Sequence, residues 1–337
     1  MMKAKRILAS LVSACLVLSL AGCGGSDTAP KGGSAPAGGG GGGGGKIMTI
    51  GTADSGGTMY PVGAGVAKVC NANIKGIKIN VATSTGSYEN ARNIQEGNID
   101  LATIAGDTAY DAIKGGGKFK GKTLPDLRAI GAVYSSLSSW MALKSSGLTM
   151  VDGSLKGKTI VVGPAASATE TSSLLALGIS GVDAKTAKIQ NLGLSDGADA
   201  VGDGLATVVS GFAGIPISGQ LTLSTTKDVN VLGMSDDVLA KILASNPSYY
   251  KTVIPKGTYK NQDKDAPTFG VKTLIVVNKS MSDEMAGKIA EALFTHVDDL
   301  VSTHVSMASM KDKKFICQQL PIELHPGAAA YYKKQGL

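Results

Sequence analysis

The sequence predicts an α/β protein built as two α/β lobes joined by a hinge, and three observations predict it. Short apolar runs alternate with segments of helical period from residue 47 onward, the pattern of strands joined by crossover helices. The same strand, loop and helix order restarts at Leu155, after a first set has finished. A long apolar run, Phe269 to Val277, then comes too late to belong to the second set and fits a crossing back into the first lobe. Two lobes joined by more than one crossing make a hinge, and a hinge makes a clamp. The expected divisions are 1–22 for a leader, 23–45 for a tether, 46–140 for the N-terminal part of lobe 1, 141–254 for lobe 2, and 255–337 for the return to lobe 1 with C-terminal helices.

The leader comes first. Lys3, Lys5 and Arg6 form a basic start, Ile7 to Leu20 is apolar, and Leu20-Ala21-Gly22-Cys23 closes the segment. That tetrapeptide resembles a bacterial lipobox, in which the cysteine becomes the lipid-modified N-terminus; Cys23 is the expected lipidation site and the chain's membrane contact. The apolar stretch is shorter than the ~20 residues a spanning helix requires. Residues 24–45 are mostly glycine, serine, alanine and proline, a flexible tether reaching roughly 25 Å. Those residues place the body of the protein outside the cytoplasm.

Composition narrows the partners. Lys3, Lys5 and Arg6 supply three of the formal +7 charges, so the chain beyond residue 22 carries +4. No basic stripe with interleaved aromatics occurs, and nucleic acid is not an expected partner. With 46 glycines, 4% aromatic and 18% charged residues, the chain reads as a compact α/β monomer. Of four cysteines, Cys15 falls in the leader and Cys23 takes lipid. The sequence leaves open whether Cys70 and Cys317 form a disulfide or stay as free thiols.

The first strand, Ile47 to Ile50, runs into Gly51-Thr52-Ala53-Asp54-Ser55-Gly56-Gly57-Thr58, followed by a helix with Val62, Val66 and Val69 on one face. Ile77 to Ala82 alternates as a second strand and opens into Thr83 to Asn90, where Ser87 is the expected N-cap with Asn90 at N3. Ile99 to Ile104 is a third strand, with Ala105, Gly106 and Asp107 at the next helix start. Leu127 to Tyr134 and Trp140 to Lys144 read as two further extended segments. In the second set, the strand ending at Val162 leads to Gly163-Pro164 and a helix opened by Ala165 to Glu170. Ile189 to Leu192 precedes a polar helix start at Ser195; Leu205 to Val209 reads as a buried strand, with a helix starting from Phe212-Ala213-Gly214. Val229 to Leu232 is a strand and Asp236 to Ala244 a helix. Residues 282–304 read as one amphipathic helix, and Leu320 to Lys333 as a loop with a closing helix.

The loops carry the chemistry. The first amides of a helix lack partners within it and bear partial positive charge, so a hydroxyl- and glycine-rich loop ahead of a helix can hold an anion. Arginine is scarce, with only Arg92 and Arg128 beyond the leader, neither at a loop tip. A carboxylated guest would then be held by amides and hydroxyls. His296 and His304 stand too far apart for a two-residue metal pair, and no GxSxG, HExxH or P-loop occurs. Neither cofactor, metal nor catalytic activity is expected.

The segments Gly51 to Gly63, Thr85-Gly86-Ser87-Tyr88-Glu89-Asn90, Gly163-Pro164, and Leu324-His325-Pro326-Gly327-Ala328 with Tyr331-Tyr332 together resemble the TAXI family. These are solute-binding proteins of tripartite ATP-independent periplasmic (TRAP) transporters. The resemblance implies a type II periplasmic-binding-protein fold. It also implies delivery of an organic acid or an amino acid, such as glutamate, to TRAP-type permease subunits. By position it implies a first pocket wall of Thr52, Ser55, Gly56, Gly57, Thr58 and Tyr60, and a second of Thr85, Gly86, Ser87 and Asn90. Ala105, Gly106 and Asp107 stand where the family more often has Gln-Ser-Asp, which counts against glutamate itself. Pro164, Ser167, Thr169 and Glu170 would face them from the opposite lobe with Ala213 and Gly214. Val208 and Val209 replace an acidic residue and aromatics often found on that strand, so a differently shaped pocket is expected. The alternatives are a ligand-sensing lipoprotein that signals to a membrane receptor, and a secreted enzyme on the same scaffold.

Overall fold

The computed structural model describes residues 45–337; the leader, Cys23 and the tether up to residue 44 lie outside the described residues. The chain opens with β1 (Lys46–Gly51), α1 (Met59–Asn73), β2 (Ile77–Ala82), α2 (Ser87–Glu96), β3 (Leu101–Ala105) and α3 (Gly106–Lys114). β4 (Leu127–Leu143) leads into β5 (Thr159–Val161), α4 (Ala168–Ile179), β6 (Lys188–Gln190), α5 (Leu194–Gly202), β7 (Val208–Ala213) and α6 (Ser218–Thr226). β8 (Val229–Leu232), α7 (Asp236–Ser245) and β9 (Tyr250–Ile254) precede β10 (Ala266–Asn278). The C-terminal helices are α8 (Asp283–Thr295), α9 (Val297–Thr303), α10 (Lys313–Cys317) and α11 (Pro326–Lys334). Among the described residues no helix is long and apolar enough to cross a membrane.

The sheet contains the same pattern twice. One lobe has the order β2-β1-β3-β10-β4, the other β6-β5-β7-β4-β8. In each, three strands are mutually parallel and the fourth and fifth are antiparallel neighbours. β4 belongs to both lobes. It pairs with β10 from Leu127 to Leu137 and with β7 from Leu137 to Ala142. β10 approaches from the opposite direction, pairing with β9 up to Gly270 and with β3 from Thr273 onward. These two strands are the hinge crossings. Ser136 and Thr273 join them there through their hydroxyls, 2.7 Å apart.

Burial explains the elements. All five residues of β3 are buried because it lies between β1 and β10, and Val62, Val66 and Val69 of α1 are buried in the main apolar core. Four expectations are corrected. β4 is one strand of seventeen residues, not two segments, since Ser135 to Ser139 continue the pairing that flanking apolar residues begin. β7 starts at Val208, and Phe212 and Ala213 complete it; Leu205, expected inside the strand, is 72% exposed and the following helix begins only at Ser218. The helix expected over 282–304 breaks at His296 into α8 and α9. Gly86, at φ 121°, is the N-cap of α2, and Ser87 is its first residue. Cys70 and Cys317 are free thiols; burial pushes that of Cys70 up to about 12.

The His325-Pro326-Gly327 motif fastens the chain's end. The His325 amide donates to Ala129 O at 2.8 Å on β4, and His325 Nδ1 accepts from the Gly327 amide at 3.2 Å to cap α11. Pro326 takes the first helical turn, where its missing N–H costs nothing. Gly327 lies so close to α8 that a Cβ there would stand 2.0 Å from Asp283 O. Gly327→Ala therefore must push α11 off α8, with an expected loss of about 1–3 kcal/mol, read as a lower urea midpoint at unchanged slope; an unchanged midpoint would show that the helices re-dock freely.

Candidate functional site

The parallel strands of both lobes point their C-terminal ends at the hinge gap, and the helices that follow begin there. Thr58 and Met59 open α1, Gly86 and Ser87 open α2, Ser167 to Thr169 open α4, and Leu194 opens α5. All of these residues line one cavity, together with Ala53, Asp54, Gly57, Thr85, Pro164, Phe212 and Ala213. Its volume is about 40 Å³, room for roughly three waters. The lobes are therefore closed over a small space.

The hydroxyls expected to bind a guest are mostly engaged within the protein. Thr58 Oγ1 donates to Gly214 O across the lobes at 2.8 Å, and Ser87 Oγ accepts from the Ala105 amide at 3.0 Å. Ser167 Oγ donates to Pro164 O at 2.7 Å and caps Glu170 N at 3.1 Å, while Thr169 Oγ1 accepts from the Phe212 amide at 3.3 Å. The hydroxyls hold the loops in shape. The starts of α1, α2, α4 and α5 lie at the gap, and the first-turn amides of a helix carry the positive end of its dipole. No lysine, arginine or histidine is among the lining residues, and Asp54 is the one carboxylate there.

Of the residues expected from sequence, Gly57, Thr58, Thr85, Gly86, Ser87, Pro164, Ser167, Thr169 and Ala213 meet in this cavity. The others lie outside its lining. Thr52 Oγ1 donates to Ala82 O at 2.8 Å, and Asn90 Nδ2 donates to Thr52 O at 2.6 Å and Thr103 O at 3.0 Å, so both brace the strand ends. Ser55 and Tyr60 are exposed. The Gly56 amide donates to Asp54 Oδ1 at 2.8 Å, and Gly214 supplies its carbonyl to Thr58. Gly106 is pressed against β10, where a Cβ would stand 2.7 Å from Lys272 O. Sequence reasoning missed Leu194 and Phe212 as lining residues; Ala53, Asp54, Met59 and Ala168 lie in loops it singled out, but it gave them no individual role. Apolar residues in helix-start loops carry no chemical signal, and the register of β7 had to be known before Phe212 could be placed.

Glu170 sits at the rim. Burial works against its charge, but Lys118 from the first lobe, the Ala166 amide and Asn191 outweigh that and hold the carboxyl below its usual range. The Lys118 ammonium also stands 5.3 Å from the centre of the Tyr88 ring. This ion pair spans the mouth of the cleft.

Residues 50–336 match the model of the NMT1-like family. The chain belongs to the NMT1-like family. The fold is the two-lobed type II periplasmic-binding-protein fold, whose strand order each lobe repeats. The chain superposes on a protein of Bordetella bronchiseptica RB50 with a TM-score of 0.51 at 14% identity, covering 86% of this chain and 88% of that one. Two further solved structures are similar at lower scores. One is the periplasmic aliphatic sulphonate binding protein of Escherichia coli (TM-score 0.47, 15% identity, 86% and 83% covered). The other is a binding protein component of an ABC phosphonate transporter from Pseudomonas aeruginosa (0.49, 13%, 78% and 79%).

Asp107 serves this NMT1-like chain as a buried brace. Burial raises its carboxyl to about 6, against the bonds it accepts from Tyr249 Oη at 2.8 Å and the Thr108 amide at 2.7 Å; the nearby Asp111 adds to the rise. The folded chain thus holds the proton more tightly than the unfolded chain, whose aspartate titrates near 4. Its contribution favours folding at low pH and is lost as pH rises from about 4 to about 6, roughly 2–3 kcal/mol in all. Asp107→Asn should flatten that part of the stability profile in urea titrations at pH 4.5 and 7; a variant with the parental pH slope would assign the slope to other groups.

Proposed function

We propose that this chain is an extracytoplasmic solute-binding lipoprotein, anchored through Cys23, that captures a small carboxylated solute between its lobes and passes it to a TRAP-type permease. One observation carries the capture step. Residues at the starts of four helices, two from each lobe, line one gap that contains no basic side chain. Such an arrangement binds a compact anion by aligned dipoles and N–H donors. Membership of the NMT1-like family and the type II fold support a solute-binding role, and the TAXI-like motifs support the TRAP-type partner. The tether lets a membrane-anchored monomer present its cargo to that partner. The lobes divide where β4 and β10 cross, near Ser136 and Thr273, and binding proceeds without turnover or cofactor.

The guest enters when the lobes part about β4 and β10, and closure buries it. A carboxylated amino or organic acid should raise the melting temperature at saturating concentration and reduce the radius of gyration in small-angle scattering. Ala213→Leu, which fills the gap from a 4%-exposed position, should weaken binding at least tenfold without unfolding the protein. If no carboxylate among amino, hydroxy and keto acids shifts the melting temperature, capture of an anion is refuted. Co-purification with a permease of another architecture would refute the partner.

A further inference from the structure

Beside the cleft runs a seam where α3 of the first lobe meets residues 246–249 of the second, the segment joining α7 to β9. Three bonds cross it. Tyr249 Oη donates to Asp107 Oδ2 at 2.8 Å, Asn246 Nδ2 to Asp111 Oδ1 at 3.2 Å, and Ser248 Oγ to Gly106 O at 3.5 Å. Tyr249 also meets Phe212 of the cleft wall edge-on, with ring centres 6.4 Å apart, so seam and cleft share a wall. Asp107 is the charged group that this seam buries. Among the described residues no cation pairs with it: Lys118 pairs with Glu170 beside the Tyr88 ring of α2, and Lys272 of β10 donates to the Phe315 and Gln318 carbonyls. The other titratable groups facing Asp107 are Asp111, one turn on, and the phenols of Tyr88 and Tyr249, which burial keeps neutral.

A buried carboxylate with no cation beside it and a second carboxylate nearby favours its neutral form. The neutral form fits the seam. One oxygen still accepts from the Thr108 amide, and the new O–H can donate to the Tyr249 oxygen in place of the bond it receives. When the lobes part, Tyr249 draws away and water solvates the carboxylate, so the charge is tolerated there. Resting on the solute-binding reading above, we infer that closing the lobes over a guest takes up one proton at Asp107, so that acid strengthens capture and neutral surroundings favour release. The sign follows from the two states. Burial raises the closed carboxyl to about 6, and opening returns it to near 4. The extra affinity is fully present below about pH 4 and lost as pH rises through about 6. Lys118 and Glu170 stay charged over that window, because the pair holds the Glu170 carboxyl below its usual range, and they add no slope.

Closure can be read without any guest. A cysteine placed by Ala213→Cys in the cleft wall reacts with methyl methanethiosulfonate when the lobes part, whereas Cys70, buried in the core of the first lobe, reacts only on unfolding. Mass spectrometry follows both sites in the full chain. The labelling rate at 213 is divided by the rate in the same chain carrying Asp107→Asn, which cancels the thiol's own titration. That ratio should fall roughly tenfold from pH 7 to pH 5 while Cys70 stays unlabelled. Tyr249→Phe removes a bond that favours the charged carboxyl, so the same ratio should fall more steeply. A ratio that does not change with pH overturns the proton uptake and leaves carboxylate capture standing. Labelling at 213 that only keeps pace with Cys70 means the lobes part only by unfolding, and overturns it as well. The expected fall, together with no melting-temperature shift from any carboxylate, supports proton-linked closure and refutes a carboxylate as the guest.

Discussion

The antiparallel pairing of β4 and β10 is the constraint on which the rest of the molecule depends. Each strand is long enough to serve both lobes, and the two run in opposite senses through the hinge. β3 must lie antiparallel to the end of β10, and β7 antiparallel to the end of β4. Ala105 and Ala213, the last residues of those strands, consequently both sit near the crossing. The parallel neighbours β1 and β5 follow suit, and α1 and α4 behind them begin at the same gap, as do α2 and α5. One pairing thereby converts two separate α/β sheets into a single site.

Helix starts meeting in this way create an electrostatic demand. Unpaired amides in a space with room for a few waters are poorly solvated, and their aligned dipoles favour negative charge. Asp54 answers part of the demand from inside the protein, and the rest is what the proposed carboxylated guest would answer. The hydroxyls of Thr58, Ser87, Ser167 and Thr169 bind backbone groups instead of competing for the guest. That arrangement gives the loops fixed shapes before any guest arrives, which lowers the ordering cost of binding.

The links that hold the lobes shut are few and individually modest. Thr58 with Gly214 is buried, Lys118 with Glu170 is partly exposed, and Asn246 Nδ2 donates to Asp111 Oδ1 at 3.2 Å. Exposed pairs of this kind contribute about 0–1 kcal/mol each. Closure balanced on such contacts is shifted readily by a guest that binds the closed form better than the open one. The buried Tyr249 to Asp107 bond adds a firmer brace behind the cleft.

The sequence by itself determined the alternation of strands and helices, the restart at Leu155, the late return through residues 269–277, and the glycine- and hydroxyl-rich helix starts. These are local properties: side-chain period, capping chemistry and chain-bending residues act over a few positions, so they can be read along the chain. Tertiary structure alone decided that β4 is continuous through Ser135 to Ser139, where polar residues are buried by pairing with β10 and β7. It also decided that β7 begins three residues beyond Leu205, and that Phe212 and Leu194 reach the gap while Asp107 turns to Tyr249. Which face of a loop meets a partner depends on strand register and on segments more than a hundred residues away, and no local pattern encodes that.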